Sequence, residues 1–380
     1  MKFIHISDTH FGSFSSYQKI HLKEIEEFKK ILNSDIDFLI VSGDIFNTPF
    51  QIFEGLDSLI SAMRNFIESG KKIYAVPGSH DVSSGGSLFS ILDSAGIITN
   101  VYRYKEENGI IHLEGTYDKK TGTTIYGVGG ETNSREIDLY DKIDVKPEEK
   151  SIFIFHSPIK GSIGVQEVRE LDLEKLPKGF SYYAGGHVHK RIWKIFNGSY
   201  IVYPGPFFGS SFDELYNNVE RGYALVEDFK PRFFNMEPMN IYRSNINCDG
   251  KSSRTVIDEI SIELENVNAE IIFINLFGKA MFNPDDVNLG KLPMRLKRKS
   301  IIMLRKKNLN FENEAMPANL SMDDEIKNIQ SPFSFDIMDF VEKLKSEREE
   351  GERIDDFKKR LIASLKNELE MVEKNDNQVH

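Results

Sequence analysis

Five short apolar runs in the first half of the chain each lead into a motif that contains aspartate or histidine. The runs are FIHI, DFLIV, KIYAV, SIFIF and SYYA, and the motifs are SDTH, SGD, PGSHD, FHSP and GGHVH. Apolar runs of this length indicate buried strands. Because the strands of a mostly parallel sheet present their carboxyl ends to one crevice, we expect the five motifs to lie close together.

The motifs supply two carboxylates and five imidazoles, and the chain has only nine histidines in all. These residues are Asp8, His10, Asp44, His80, His156, His187 and His189. Imidazole with carboxylate suits a divalent transition ion better than Mg²⁺ or Ca²⁺. With His80 set aside, the ligands are too many for one ordinary site and suit two ions that share a carboxylate. Since paired ions can clamp the attacking and leaving oxygens of a phosphoester, the motifs predict a dinuclear phosphoesterase centre.

Amphipathic patterns between the motifs predict helices. Apolar residues recur at three- and four-residue steps over 20–32 and 55–69, and the strand–helix alternation over 1–95 indicates βαβ units. Hairpin-like runs over 110–130 and 190–230, one of them turning at Asn-Gly-Ser, predict further strands. The expected fold class is α/β, with two sheets packed face to face and helices outside.

The sequence pattern changes after about residue 235. Residues 240–253 are polar and turn-rich and predict a linker, followed by a short helix over 255–265 and a buried strand, AEIIFINLFGK. Segment 291–307 has eight basic residues and no acidic one, a composition that indicates either contact with DNA phosphates or a solvated basic face. The residues expected to contact DNA are Arg295, Lys297, Arg298, Lys299, Arg305 and Lys306.

The last part of the chain predicts a linker over 311–331 and a pair of amphipathic helices over 332–375. A helix pair on a tether cannot bury much of its apolar surface alone, so we expect it to dock on a partner protein. The alternative is that the pair folds back on its own catalytic domain. The apolar residues expected to bind the partner are Phe340, Leu344, Phe357 and Leu361.

Composition adds three limits. The net charge of −11 argues against a surface uniformly coated with DNA-binding charge, but it allows a local basic patch. The single cysteine, Cys248, excludes an intramolecular disulfide and suits a reducing compartment. No apolar run has the length of a signal segment or of a membrane span, so we expect a soluble cytoplasmic protein without membrane contact.

The motifs together resemble the calcineurin-like metallophosphoesterase superfamily, whose pattern is D-x-H, G-D, G-N-H-D/E, H and G-H-x-H. The resemblance covers roughly residues 1–205, and the segments MKFIHISDTHFG and SGDIFN are similar to the SbcD-type nuclease subunit of the double-strand-break repair complex. It implies a four-layer α/β/β/α metallophosphoesterase sandwich over 1–238. It also implies a small α/β cap domain over 239–310 that binds DNA, and a C-terminal helical arm.

The resemblance assigns a role to each motif residue. One metal would be held by Asp8, His10 and His189 and the second by His156 and His187, with Asp44 bridging both. By the same likeness, His80 would face the scissile phosphate instead of binding metal, and Asp81 would orient His80 through a carboxylate–imidazole hydrogen bond. Ser79 stands where the family has an asparagine ligand of the second metal, and a serine hydroxyl is a shorter and weaker neutral donor than an amide oxygen.

The family also implies an activity and partners. The implied protein is a nuclease with two Mn²⁺ ions that has 3′-to-5′ exonuclease and single-strand endonuclease activity. Its implied partner is an SMC-like ATPase of the SbcC type. A homodimer through helices near 54–69 or 85–95 is implied as well. Two alternatives stay open: a small-molecule phosphodiesterase or phosphatase of the same fold, and a non-catalytic scaffold that uses the metal site only to hold its shape.

Overall fold

The computed structural model of the chain describes residues 1–162, 169–237, 239–292 and 300–311, with positions 343, 357, 360, 361 and 363–365. The helices are α1 (Gln18–Leu32), α2 (Leu56–Glu68), α3 (Leu88–Ser94), α4 (Phe212–Tyr216) and α5 (Ser253–Glu263). Short 3₁₀ segments lie at Thr132–Lys142, Leu173–Lys175, Leu264–Asn266, Pro284–Asp286 and Leu289–Lys291. The linker predicted after residue 311 and most of the predicted helix pair lie outside the described residues.

The strands follow the alternation that the sequence predicts. In chain order they are β1 (Lys2–Ile6), β2 (Phe38–Ser42), β3 (Lys72–Val76), β4 (Thr99–Asn100), β5 (Tyr104–Glu107), β6 (Ile110–Leu113), β7 (Thr116–Asp118), β8 (Thr123–Val128), β9 (Ile143–Asp144), β10 (Ser151–Phe155), β11 (Tyr182–Gly185), β12 (Ile192–Phe196), β13 (Ser199–Tyr203), β14 (Gly222–Glu227), β15 (Lys230–Asn235), β16 (Ile241–Asn247), β17 (Ile271–Ala280) and β18 (Ile301–Phe311).

Two six-stranded sheets carry the five motifs. Their strand orders are β15-β14-β1-β2-β3-β4 and β12-β13-β11-β10-β8-β7, and two three-stranded sheets have the orders β5-β6-β9 and β16-β17-β18. Strands β1 to β4 are parallel to one another, as are β13, β11, β10 and β8, while antiparallel strands extend the sheets. The parallel strands are buried along nearly their whole length, as expected when both faces of a sheet are covered.

The two large sheets pack face to face. Phe3 of β1 meets Tyr182 of β11 edge to face, with ring centroids 5.4 Å apart, inside a buried apolar layer shared by both sheets. On the outer face of the first sheet α1 and α2 contribute Phe28 and Leu59 to a second core. The outer face of the second sheet is covered through residues such as Tyr140, in the 3₁₀ segment Thr132–Lys142. The predicted α/β sandwich is confirmed.

Residues beyond 240 differ from the prediction in one element. The linker predicted over 240–253 is wrong at Ile241–Asn247, which form β16, whereas the helix and the buried strand predicted after it are confirmed as α5 and β17. The sequence pattern does not predict β16 because one of the two residues that this strand buries is a serine. The buried residues are Ser244 and Ile246. Contacts divide the described residues into two compact units, one formed by those within 1–244, 265–274 and 300–304 and the other by those within 245–264, 275–292 and 305–311. The predicted domain boundaries stay a prediction.

No helix among the described residues has the length and apolar character needed to cross a membrane.

A buried acid on α1 makes the stability of the fold depend on pH. Glu24 lies beside His21, with Oε2 and Nδ1 3.6 Å apart, and both side chains are fully buried. Neither carboxylate oxygen has a hydrogen-bond partner among the described residues. Burial, partly offset by His21, raises the pKa of Glu24 to about 7. The folded state therefore retains a proton that the unfolded chain has already released at neutral pH.

Replacing Glu24 with glutamine is expected to stabilise the protein by about 3 kcal/mol at pH 8 and by less than about 1 kcal/mol at pH 5. The folded pKa lies above the unfolded one, so the wild type loses stability as the pH rises from about 4.5 to about 7 and stays destabilised above that. Urea unfolding at the two pH values measures the difference, with Glu26→Gln on the exposed face of α1 as the control. An equal effect of Glu24→Gln at both pH values contradicts the prediction.

Candidate metal centre

The motif residues lie directly after five strands, where the carboxyl ends of the parallel strands meet. Asp8 and His10 follow β1, Asp44 follows β2, His80 follows β3, His156 follows β10, and His187 and His189 follow β11. The structure brings them into three groups whose potential ligand atoms lie within 4.8 Å of one another. The groups are Asp8 with His10 and His189, Asp44 with His156 and His187, and His10 with Asp44 and His80.

Asp44 joins the first two groups. In one group, Nε2 of His10 lies 3.1 Å from Nε2 of His189, which is 3.6 Å from Oδ1 of Asp8. In the other, Nε2 of His156 lies 3.3 Å from Oδ2 of Asp44 and 3.3 Å from Nδ1 of His187. The same Oδ2 lies 3.6 Å from Nε2 of His10. A single carboxylate oxygen therefore faces ligands of both groups.

These residues fit divalent metal ions. Two ligand atoms that are each about 2.0–2.1 Å from one ion lie about 3.0–3.4 Å apart at ordinary coordination angles, close to the separations found here. The donor set of imidazoles and carboxylates suits transition ions. Asp8 and His156 are fully buried, and Nδ1 of His10 is buried without a hydrogen-bond partner in the described part of the chain. Such a converging set of buried polar atoms is what a metal site requires.

The backbone at the centre adopts conformations that side-chain-bearing residues rarely take. Asp8, His10, Asp44 and His187 all have φ between 45° and 84°, in the left-handed region. A Cβ on Gly78 would collide with the carboxylate of Asp44. Such strain persists only where the surrounding structure enforces it, and it concentrates at functional sites.

A scan of protein families matches residues 1–191 to the family Calcineurin-like phosphoesterase. The chain belongs to the calcineurin-like phosphoesterase family. The match ends two residues after His189, so it includes all five motifs. The family binds divalent metals, in agreement with the donor groups described above.

Curated relatives of this phosphoesterase include several proteins named DNA double-strand break repair protein Mre11. The one from Archaeoglobus fulgidus is 25% identical over 309 residues, which are 74% of this chain and 66% of that protein. The one from Methanocaldococcus jannaschii is 28% identical, covering 60% of this chain and 62% of that protein. The one from Sulfolobus acidocaldarius is 23% identical, covering 84% and 88%. The chain thus spans less than two thirds of the length of the first two relatives.

Hydrogen bonds on the far side of two imidazoles fix which nitrogen faces the centre. Nδ1 of His156 donates to the carbonyl of Ser42 over 2.8 Å, and Nδ1 of His189 donates to Oε1 of Glu214 over 2.6 Å. Both rings therefore carry a proton on Nδ1 and turn Nε2 toward an aspartate of the centre. That aspartate is Asp44 for His156 and Asp8 for His189. Partners of this kind raise the basicity of a metal-ligating imidazole and hold its orientation.

Glu214 is the functional residue that the sequence motifs did not predict. It lies on α4, 25 residues after His189, and its two oxygens also accept hydrogen bonds from the backbone and hydroxyl groups of Ser210. These contacts lock the carboxylate in place behind the imidazole. The only sequence signal is an acidic residue in the first turn of a helix that begins at the N-cap Ser211, and such residues are common at helix starts.

Replacing Glu214 with glutamine is expected to weaken metal affinity by about 10–100-fold, because an amide cannot hold His189 in the same way as a carboxylate. Isothermal titration of the metal-free protein with Mn²⁺ measures this effect directly. Asp213→Asn removes the same charge from the same helix and is expected to leave the affinity within about threefold of wild type. Equal losses of Mn²⁺ affinity in the two variants would show that the affinity depends on the charge of the helix and not on the contact with His189.

The electrostatic field of the centre is set by its carboxylates. Burial alone raises the pKa of Asp44, but His156 and His10 outweigh burial and lower it below the ordinary range. Burial lowers the pKa of His156, yet Asp44 and Asp8 overcome that effect and raise it to about 10. For His187, burial dominates and lowers the pKa to about 4. An ion that binds here must displace protons, so its affinity rises with pH.

His80 is the most accessible imidazole of the centre. Its backbone N–H donates to Oδ1 of Asp44 over 2.8 Å, and its ring meets the ring of His10 edge to face with centroids 4.8 Å apart. Nδ1 donates to the carbonyl of Asn47 over 2.8 Å. Because a carbonyl only accepts hydrogen bonds, Nδ1 carries a proton, and Nε2 is the nitrogen that is able to exchange a proton with a bound molecule.

The role predicted for Asp81 is wrong. Its carboxylate accepts hydrogen bonds from the backbone N–H groups of Ile45, Phe46 and Gly78 at 2.9–3.0 Å, and not from His80. Both oxygens are turned toward backbone amides of the loops after β2 and β3, and the ring of His80 bonds elsewhere. Asp81 therefore ties the loop after β3 to the loop after β2, and the carbonyl of Asn47 takes the orienting role instead.

Ser79 is half-buried between Gly78 and His80, in the loop that packs against Asp44. Its ligation of a second metal stays a prediction.

The structure describes only some of the residues predicted to bind DNA and the partner. Arg295, Lys297, Arg298 and Lys299 lie outside the described residues, as do Phe340 and Leu344. Arg305 and Lys306 lie on β18, where Lys306 forms a 2.6 Å ion pair with Asp285. Phe357 and Leu361 occupy helical positions, and the Arg360 guanidinium lies over the ring of Phe357. The predicted roles of these residues in binding stay predictions.

Proposed function

We propose that this phosphoesterase is a metal-dependent DNA nuclease acting in double-strand-break repair. The observation that carries the proposal is the pair of ligand groups joined by Asp44, with the accessible His80 beside them. Paired ions suit in-line displacement at a phosphodiester. The printed names of the relatives, DNA double-strand break repair protein Mre11, support DNA as the substrate.

Two Mn²⁺ ions are the proposed cofactors. Asp8, His10 and His189 would hold the first ion, and His156 and His187 the second, with Asp44 shared and Ser79 close to the second. When bound, the ions activate water and stabilise the charge on the phosphate during displacement. Glu214 and the carbonyl of Ser42 keep the imidazoles aligned for this role.

His80 is the proposed proton donor. Its Nδ1 is held by Asn47, so Nε2 can protonate the departing 3′-oxygen of the scissile phosphodiester. The bond between phosphorus and the 3′-oxygen breaks as the bond to the attacking water oxygen forms. Asp81 holds the loop that carries His80 and acts on the chemistry only through that loop.

The proposed partners are DNA, an SMC-like ATPase of the SbcC type and a second copy of the chain. We assign catalysis to residues 1–238, DNA contact to a cap over 239–310, and ATPase contact to the helix pair over 332–375, beyond a linker over 311–331. The basic segment 291–307 and the apolar pattern of the helix pair support these assignments. Dimerisation is proposed near 54–69 or 85–95, which includes α2 and α3.

A comparison of substrates tests the proposal. The full-length protein with Mn²⁺ is given 3′- and 5′-labelled duplex and single-stranded DNA, cyclic nucleotides and p-nitrophenyl phosphate esters. Cleavage of DNA that EDTA abolishes, at rates well above those for the small esters, is the expected result. Preference for the small esters would indicate a small-molecule phosphodiesterase. Stoichiometric metal binding without any turnover, even with the ATPase present, would indicate a scaffold.

A further inference from the structure

A stretch of chain beside the metal centre has a charge opposite to that of the whole protein. Residues 175–212 contain five basic residues and no acidic one, whereas the full chain has 59 acidic and 48 basic residues. The stretch includes His187 and His189 as well as β11, β12 and β13. Lys175 and Lys178 pair with Asp141 and Glu174, whereas Lys190, Arg191 and Lys194 follow the motif histidines. Basic residues beside a catalytic edge favour a polyanionic ligand.

The only tryptophan of the chain lies in this stretch. Trp193 is 57% exposed on β12, the outermost strand of its sheet. Its ring lies 6.2 Å from the ring of Tyr200 on β13, at an interplanar angle of 50°. Ile195, two residues further along β12, is 55% exposed and lies on the same face as Trp193. Large apolar side chains grouped in this way on a surface commonly mark a binding site.

Trp193 lies close to the metal centre along the chain. It follows His189 by four residues, so the two Cα atoms are separated by at most about 14 Å. That upper limit corresponds to at most about four stacked nucleotides. Lys190, three residues before Trp193, is exposed, and so is Lys194, although strand alternation places Lys194 on the opposite face of β12. Aromatic side chains interleaved with basic ones form the surface on which proteins hold single-stranded nucleic acid, whose bases are free to stack.

We propose that Trp193, with its ring supported by Tyr200, forms a base-stacking platform for single-stranded DNA near the metal centre, with Lys190 contacting a neighbouring phosphate. The proposal rests on the proposed nuclease function and adds to it a contact that holds an unpaired strand near the reacting phosphate. A base within duplex DNA is already stacked between its neighbours, so the platform favours single strands, frayed ends and flaps over blunt duplex.

Fluorescence tests the platform without any label, because all tryptophan emission comes from Trp193. The full chain is titrated with oligo(dT) in EDTA, which prevents cleavage, and binding is followed in parallel by the anisotropy of a labelled oligonucleotide. We expect the emission to be quenched along the same binding curve that anisotropy reports. Raising the salt concentration should weaken both signals together, since phosphate contacts contribute to the affinity.

Variants separate stacking from general binding. Trp193→Ala is expected to weaken single-strand binding about tenfold, and Trp193→Phe to retain most of the affinity because it keeps an aromatic face. Ile195→Ala is the matched control on the same strand and face, and should bind within about twofold of wild type. Binding of blunt duplex should change less than single-strand binding in Trp193→Ala.

Three results would overturn the platform. One is single-strand binding by anisotropy with unchanged emission, and another is wild-type affinity in Trp193→Ala. The third is an emission change that follows protein concentration in the absence of DNA, which would assign the face to a second copy of the chain. If no DNA of any form binds, the proposed nuclease function itself fails, so the two failures are distinguishable.

Discussion

Replacing His80 with asparagine is expected to lower the rate of DNA cleavage by about 10²–10⁴-fold while leaving Mn²⁺ affinity within about threefold of wild type. The imidazole supplies a proton through Nε2, because Asn47 already holds Nδ1. Asparagine keeps the backbone N–H that donates to Asp44 but has no titratable nitrogen. Single-turnover cleavage of labelled DNA, with isothermal titration of Mn²⁺ on the same samples, measures the two effects.

The metal measurement decides between two roles for His80. Its ring also belongs to a group of potential ligand atoms with His10 and Asp44, so His80 could bind metal instead of transferring a proton. Loss of one bound ion in His80→Asn would assign it to the ligands. Wild-type cleavage with wild-type metal binding would remove it from the mechanism. His112→Asn, at a half-buried histidine beside Asp144, controls for the loss of an imidazole.

Replacing Asp44 with asparagine is expected to reduce the binding of both ions and to lower cleavage by more than about 10³-fold. Oδ2 of Asp44 lies near Nε2 of both His10 and His156, so one substitution removes a charge that both groups share. Asparagine tolerates the left-handed backbone at this position, where φ is 52°, and so it preserves the loop. Metal titration by calorimetry and the cleavage assay measure the result.

The control for Asp44→Asn is Asp57→Asn, at an exposed aspartate in the first turn of α2. It makes the same chemical change at a residue outside the motifs and is expected to leave cleavage and metal binding within about twofold of wild type. If Asp44→Asn still binds two ions with near wild-type affinity, Asp44 does not bridge them. The two ligand groups would then act independently.

The convergence of the motif residues could be predicted because it follows from strand topology. Parallel strands end at the same edge of a sheet, so polar residues directly after β1, β2, β3, β10 and β11 had to meet once the apolar runs were identified as strands. The turn between β12 and β13 was predictable for a similar reason. Asn197 and Gly198 both have positive φ, the conformation that an Asn-Gly hairpin turn requires.

The remaining features depend on tertiary contacts that have no local sequence signal. Glu214 reaches His189 because α4 is held by the packing of Phe212 against Phe14 and Tyr17, a tertiary contact that the sequence around Glu214 does not reveal. The hydrogen bonds of Asp81 were mispredicted because adjacency to His80 in sequence suggested contact, whereas the loop turns its carboxylate toward backbone amides. Strand β16 was missed because Ser244 occupies a buried position where the pattern needs an apolar residue.

Cleavage of DNA by metal-free protein, followed as Mn²⁺ is added in known equivalents, tests the central claim most directly. A centre of two ions joined by Asp44 predicts little cleavage at one equivalent of Mn²⁺ per chain. The rate should rise steeply toward two equivalents, with two ions bound by calorimetry. Full activity at one equivalent, or no cleavage with two ions bound, would contradict a dinuclear nuclease.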